Sequence, residues 1–156
     1  MKRINEYLST KIQASDIKAT NDTIRKIVKD ELDRLGHDAD LNHIDVSEVT
    51  HIEYLFSCDR GDYLGPKYVD LNPDISQWDV SNVENMAGVF YECKNFNQDL
   101  SKWDVSNVQY MHNMFYNCQK FNQNLSGWNV NNVKDYSWIF SGCPIKQEFK
   151  PKFKNY

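Results

Sequence analysis

The sequence predicts an α/β solenoid, with short parallel β-strands on one side, short helices on the other and a helical cap at the N-terminus. Three observations carry this. Trp78, Trp103 and Trp128 recur at a spacing of 25 residues, as do Cys93, Cys118 and Cys143. Val80/Val105/Val130, Val83/Val108/Val133 and Phe90/Phe115/Phe140 hold the same period, the mark of stacked repeat units. Within a unit, apolar residues first alternate and then recur at helical spacing. One such unit cannot bury its apolar face alone, and stacking closes the core.

Residues 1–156 read as one domain, with an N-terminal helical cap over 1–40. Ile4, Tyr7 and Leu8 suggest a short first helix. Thr20, Asn21, Asp22 and Thr23 offer side-chain oxygens to the start of a second. Behind them Ile24, Ile27, Val28, Leu32 and Leu35 form an apolar stripe, closed by Gly36.

Residues 41–70 are a degenerate first repeat. Asp45–Val49 aligns with Asp79–Val83, with Ile44 in the tryptophan position. The offset here is 34 residues instead of 25, so an insert at 59–67, rich in turn formers, is expected on the surface. Repeats follow at 71–95, 96–120 and 121–145. In the second of these, Leu100, Trp103 and Val105 predict a strand with Asp104 facing the other way. Ser106 or Asn107 then caps a predicted helix whose stripe is Val108, Met111, Met114/Phe115 and Cys118. Pro144 stops the last such segment. The tail, 146–156, alternates Phe149, Phe153 and Tyr156 with lysines and is expected to cover the open end in part.

The pattern F-N-Q-x-L-S-x-W-x-V-x-N-V…F-x-x-C over about 41–145 resembles the BspA-like leucine-rich-repeat proteins and the mycoplasma lipoprotein-type repeat, a bacterial family. The resemblance implies a right-handed leucine-rich-repeat-like solenoid with strands inside and helices outside. It also implies an adhesin-like role, since many members are surface adhesins that bind host proteins.

Charge narrows the partners. Residues 1–36 carry 8 Lys/Arg and 6 Asp/Glu, residues 37–145 carry 6 and 15, and residues 146–156 carry 4 and 1. An acidic repeat body repels phosphate backbones, which argues against nucleic acid. No window has the length and apolarity of a membrane helix. With Met1 as the native start the expected location is the cytoplasm, and a leader upstream would instead place the protein at the cell surface or outside. The oligomeric state is not legible. The ladder cysteines are expected as buried thiols, with Cys58 off the ladder.

Catalysis finds no purchase: there is no phosphate loop, nucleophile elbow, paired catalytic acids or HExxH. His37, Asp38, Asp40 and His43 follow no zinc or calcium spacing, so neither a metal nor a cofactor is implied. The expected function is a non-enzymatic protein–protein interaction module that binds through the strand face and the insert. Asp45, Asp79, Asp104 and Asn129 share one repeat position. They either accept backbone hydrogen bonds or pair with Gln77 and Lys102, or they form an acidic face for a cationic or amide-rich partner. Arg60, Asp62 and Tyr63 of the insert complete the candidate binding set. Tyr91, Tyr110, Tyr116, His112 and Trp138 lie off the apolar stripe and are either interface anchors or core flanks. A further reading is a small intracellular antagonist acting by acidic mimicry.

Overall fold

In each 25-residue unit the apolar residues turn inward at tight corners, and the polar backbone between them must find partners in the units on either side. The computed structural model describes residues 17–59 and 63–154. Arg60, Asp62 and the short helix expected around Ile4, Tyr7 and Leu8 lie outside the described residues.

The regular elements among the described residues are few. Strand β1 (Ile17–Lys18) pairs in parallel with β2 (Ile44–Asp45), Ile17 opposite Ile44 and Lys18 opposite Asp45. Helix α1 (Ile24–Leu35) lies between them in sequence, and short 3-10 helices occur at Pro66–Tyr68 and Gln147–Phe149. The rest of the described residues form turns, single-residue bridges and irregular backbone. Parallel bridges join His51 to Asn85, Asn85 to Tyr110 and Tyr110 to Asp135, one per unit.

The segment expected as a strand at Leu100–Val105 and the helix expected from Ser106 or Asn107 to Cys118 take another form. Residues 101–102 and 106–107 are turns, and 112–117 is a run of turns. Trp103 N–H bonds Leu100 O, Val108 N–H bonds Val105 O, Met114 N–H bonds Met111 O and Cys118 N–H bonds Phe115 O. Left-handed residues interrupt any helix: Gly88, Asn113 and Trp138 share one repeat position at φ 59°, 57° and 53°, and Glu92, Asn117 and Gly142 share another at 61°, 55° and 70°. Successive three-residue turns reproduce the i, i+3 spacing of an apolar helical stripe without the helix.

The backbone of this run bonds from unit to unit instead. N–H groups of Met86, Gly88, Phe90 and Glu92 donate to the carbonyls of Tyr110, His112, Met114 and Tyr116. Ile52, Tyr54, Phe56 and Cys58 do the same toward Asn85, Ala87, Val89 and Tyr91, and Met111, Asn113, Phe115 and Asn117 toward Asp135, Ser137, Ile139 and Ser141. This ladder is polar: its N–H groups face the following unit and its carbonyls the preceding one.

The core is a set of columns. Phe56, Phe90, Phe115 and Phe140 stack at centroid spacings of 5.8, 5.4 and 5.6 Å, and Phe96 stacks on Phe121 at 5.9 Å. Phe90 meets Phe96 at 3.9 Å and Phe115 meets Phe121 at 4.2 Å, so the two phenylalanine columns interlock. The three tryptophans of the 25-residue period donate their indole N–H to a carbonyl of the unit before: Trp78 to Leu41, Trp103 to Ile75 and Trp128 to Leu100, at 2.9–3.1 Å. That bond explains why the column is tryptophan where phenylalanine would fill similar space. Ile44 begins it, where the neighbour is β1.

All four cysteines are free thiols. Cys93 and Cys118 are fully buried and donate to Phe56 O and Phe90 O. Cys58, off the 25-residue period, nonetheless lies against the column with its Sγ 2.6 Å from that of Cys93.

Helix α1 covers the first unit with Ile24, Val28 and Leu32. Leu35, placed in its apolar stripe by spacing, is 44% exposed. The expected side-chain cap of α1 is also absent; Asn21 reaches across to Thr50 instead, accepting from the Thr50 and His51 N–H groups and donating to Thr50 Oγ1. Buried Glu31 takes Arg34 on the helix and lies 2.7 Å from the His43 ring of the first unit, a polar tie between cap and stack. The insert is only partly on the surface. Leu64 in it and Tyr68 just beyond it are buried, and Lys67 and Tyr68 both bond Asp33 of α1.

Candidate binding groove

Each unit carries the motif Asx–apolar–Ser/Asn twice, five residues apart. Asp45, Asp79 and Asp104 accept the N–H of Ser47, Ser81 and Ser106 at 2.9, 3.1 and 3.0 Å, and Asn129 that of Asn131 at 3.2 Å. A second column repeats the device: Asp40 with Asn42, Asp74 with Ser76, Asp99 with Ser101 and Asn124 with Ser126. These are Asx-turns, in which the side chain imitates a backbone turn and closes the corner locally. The hydrogen bonds hold the carboxyls below the usual carboxylate range, through the Ser47 and Ser106 side chains and backbones at Asp45 and Asp104, and chiefly the Ser76 and Ser101 N–H groups at Asp74 and Asp99.

The candidate side chains named from sequence therefore sit as follows. The Asp45/Asp79/Asp104/Asn129 column is at the turns, with Oδ1 of each already engaged. Gln77 takes Asn42 Oδ1 on its backbone N–H and gives its side-chain amide to Ser76, and exposed Lys102 acts electrostatically on Asp99. Tyr63 is 50% exposed and comes near Lys26 of α1. Tyr91 stacks on Tyr116 at 5.0 Å, and His112 Nδ1 lies 3.3 Å from Asp135.

Beside the aspartate column a groove of about 640 Å³ crosses all the units. One wall is Glu48, Asn82, Asn107 and Asn132, and the other is Thr50, Glu84, Gln109 and Lys134. The asparagines are fixed, since Asn82, Asn107 and Asn132 donate from Nδ2 to the carbonyls of Ser47, Ser81 and Ser106, one unit back. The opposite wall varies in charge along its length. Glu84 meets Gln109 at 3.5 Å, Gln109 meets Lys134 at 2.7 Å, and Glu48 pairs with Lys18 at 2.7 Å. Acid thus sits toward the first unit and a lysine at the last. The lining is amides, hydroxyls and solvated charges, which suit recognition of a polar surface by hydrogen bonds. No group of three or more metal-ligating side chains forms among the described residues, and no helix there is long and apolar enough to cross a membrane.

Sequence reasoning passed over Thr50, Glu84, Gln109 and Lys134. The signal was present: each follows the second valine of a constant V-x-x-V, and its chemistry changes in every copy while that valine stays the same.

Residues 25–156, nearly all of α1 and every repeat unit, match the family described as "Mycoplasma protein of unknown function, DUF285". The chain belongs to this family. The match spans the whole repeat body, so the tryptophan, valine, phenylalanine and cysteine columns are features of a DUF285 chain. No curated protein and no solved structure matches it.

Proposed function

We propose that this DUF285 chain is a non-enzymatic protein–protein interaction module, a short leucine-rich-repeat-like solenoid of the BspA-like kind that holds a protein partner along its polar groove and the adjoining aspartate column. One observation carries the reading. The groove runs over every unit, and its variable wall changes from Thr50 through Glu84 and Gln109 to Lys134 on a frame that is otherwise repeated. A surface varied on a constant frame is how repeat proteins present a binding face. The partner that fits offers amides and hydroxyls along its length, with basic groups at the Glu48/Glu84 end and an acid at Lys134.

Affinity capture from the native host tests this, with wild type compared against Glu84→Lys/Lys134→Glu and against Asp79→Lys/Asp104→Lys. Wild type should recover a partner that the groove variant loses, with both variants still melting cooperatively. Unchanged recovery by both would remove this face as the site.

A secreted or surface adhesin of the BspA-like type is the second reading of the same module. A leader or lipobox encoded in frame upstream of Met1 would support it. A ribosome-binding site immediately before Met1 would end it.

A further inference from the structure

The polar ladder has two ends, and they are treated differently. At the head end the Glu53 carbonyl, which faces away from the following unit, is taken by the Arg25 guanidinium of α1. At the tail end Tyr136, Trp138, Phe140 and Gly142 stand where Met111, Asn113, Phe115 and Asn117 stand one unit earlier. Those earlier residues donate their N–H groups to the next unit, whereas the N–H groups of Tyr136, Trp138, Phe140 and Gly142 have no acceptor among the described residues. Backbone donors left unpaired along an edge are a template for another chain.

Three features mark this edge as built for an occupant. Trp138 is 71% exposed, at φ 53°, and makes no ring contact among the described residues. A bulky residue held in the left-handed region with nothing packed on it is strain without local compensation. Its counterpart Tyr54 has the same φ, but its ring lies over Gly88 of the next unit, so close that a Cβ there would come within 2.2 Å of the ring. By that precedent a glycine in an occupant beyond would leave room for the Trp138 ring. Second, a cavity of about 520 Å³ opens between the last unit and the tail, lined by Tyr136, Ile139, Phe140, Lys150, Lys152 and Phe153. Third, the charge here is opposite to that of the repeat body. Lys150 reaches over the Phe140 ring at 5.8 Å and Lys152 lines the cavity, with Glu148 the acid beside them.

We propose that this tail-end edge binds an acidic, glycine-containing peptide segment of a partner protein, whose carbonyls at every second residue take the N–H groups of Trp138, Phe140 and Gly142. Backbone hydrogen bonds supply the register, a glycine seats under Trp138, and carboxylates meet Lys150 and Lys152. The surface is separate from the groove, and neither depends on the other.

The probe is an acetylated, amidated octapeptide alternating glycine and glutamate, titrated into the 15N-labelled full chain. The amides of Trp138, Phe140 and Gly142 should shift as they become hydrogen-bonded. Replacing every glutamate with lysine should abolish the shifts, and valine for every glycine should weaken them. Lys150→Glu/Lys152→Glu should raise the Kd about tenfold, the size of two lost surface charge contacts plus repulsion. Trp138→Asn should weaken binding while the fold stays intact, and Asp79→Lys/Asp104→Lys should leave it unchanged. No shift at these amides with millimolar peptide would overturn the proposal, as would equal binding of the lysine peptide. Shifts that follow protein concentration alone would assign the edge to a second copy. Amides already protected from exchange without peptide would assign it to the chain itself, and either result would also overturn the proposal.

Discussion

Trp103 Nε1 donates to the carbonyl of Ile75 at 3.1 Å, from one unit into the one before. Both atoms are in the buried core, so water cannot replace the bond. Trp103→Phe keeps most of the ring and leaves the Ile75 carbonyl without this donor. The Ile75 carbonyl keeps its bond from the Trp78 N–H, so the expected cost is about 0.5–1.5 kcal/mol, the net worth of one hydrogen bond. Urea unfolding of Trp103→Phe against wild type measures it, and a change below about 0.5 kcal/mol would mean the bond is replaceable.

The Asx-turn carboxylates set an acid limit. Asp45, Asp74, Asp99 and Asp104 are held below the ordinary range by serine donors, so the fold favours their ionised form. Their stabilisation is complete above the unfolded aspartate value of about 3.9 and disappears as pH falls through their lower folded values. Asn124 and Asn129 already make the same turns without a charge. Asp99→Asn/Asp104→Asn should therefore keep the turns but melt below wild type at pH 7, the difference closing between about pH 4 and pH 2. Melting temperature against pH for both proteins is the measurement; parallel curves would show these two carboxylates to be bystanders.

Left-handed positions separate strain that is compensated from strain that is not. Gly88→Ala puts a Cβ into the Tyr54 ring at φ 59° and should destabilise by about 1–3 kcal/mol. Trp138→Asn copies Asn113 at the equivalent position, removes a bulky side chain from φ 53° and gives up little burial. It should stabilise by about 0.5–1 kcal/mol. Opposite signs in chemical denaturation are expected, and destabilisation by Trp138→Asn would show that the indole packs in solution.

The thiol column should be inert. Burial pushes the Cys93 and Cys118 thiols well up, away from the reactive thiolate. Half-buried Cys143 should react first with a disulfide reagent at pH 8, while Cys93 and Cys118 react only through opening of the stack, about a thousandfold or more slower than in denaturant. Rapid labelling of Cys93 in the native protein would contradict its burial.

The period and the membership of the core were legible because every copy of Trp103, Val105, Phe115 and Cys118 meets the same interior. A one-dimensional repeat writes its core into its spacing. The Asn72, Asn97 and Asn122 column follows the same period: Asn97 and Asn122 give their N–H to the side-chain oxygen of the preceding asparagine, and Lys146 gives its own to that of Asn122. Secondary structure within a unit was not legible. Val108, Met111, Met114 and Cys118 have the spacing of a helical stripe, and successive turns broken by Asn113 and Asn117 place the same residues inward. The D-x-S motif was the local clue, because aspartate two residues before serine closes a corner by itself.

From sequence alone come the repeat, its interior and the cap helix, all consequences of which side chains must leave water. Tertiary structure alone decided where the backbone bonds go. A turn and a helix can bury the same side chains, and what separates them here is that N–H groups such as that of Gly88 find His112 O in the next unit instead of a carbonyl in their own. That choice makes the stack polar, creates the groove wall at Gln109 and leaves the Trp138 edge without acceptors among the described residues. No spacing rule contains it, because the partner of each bond lies a whole unit away.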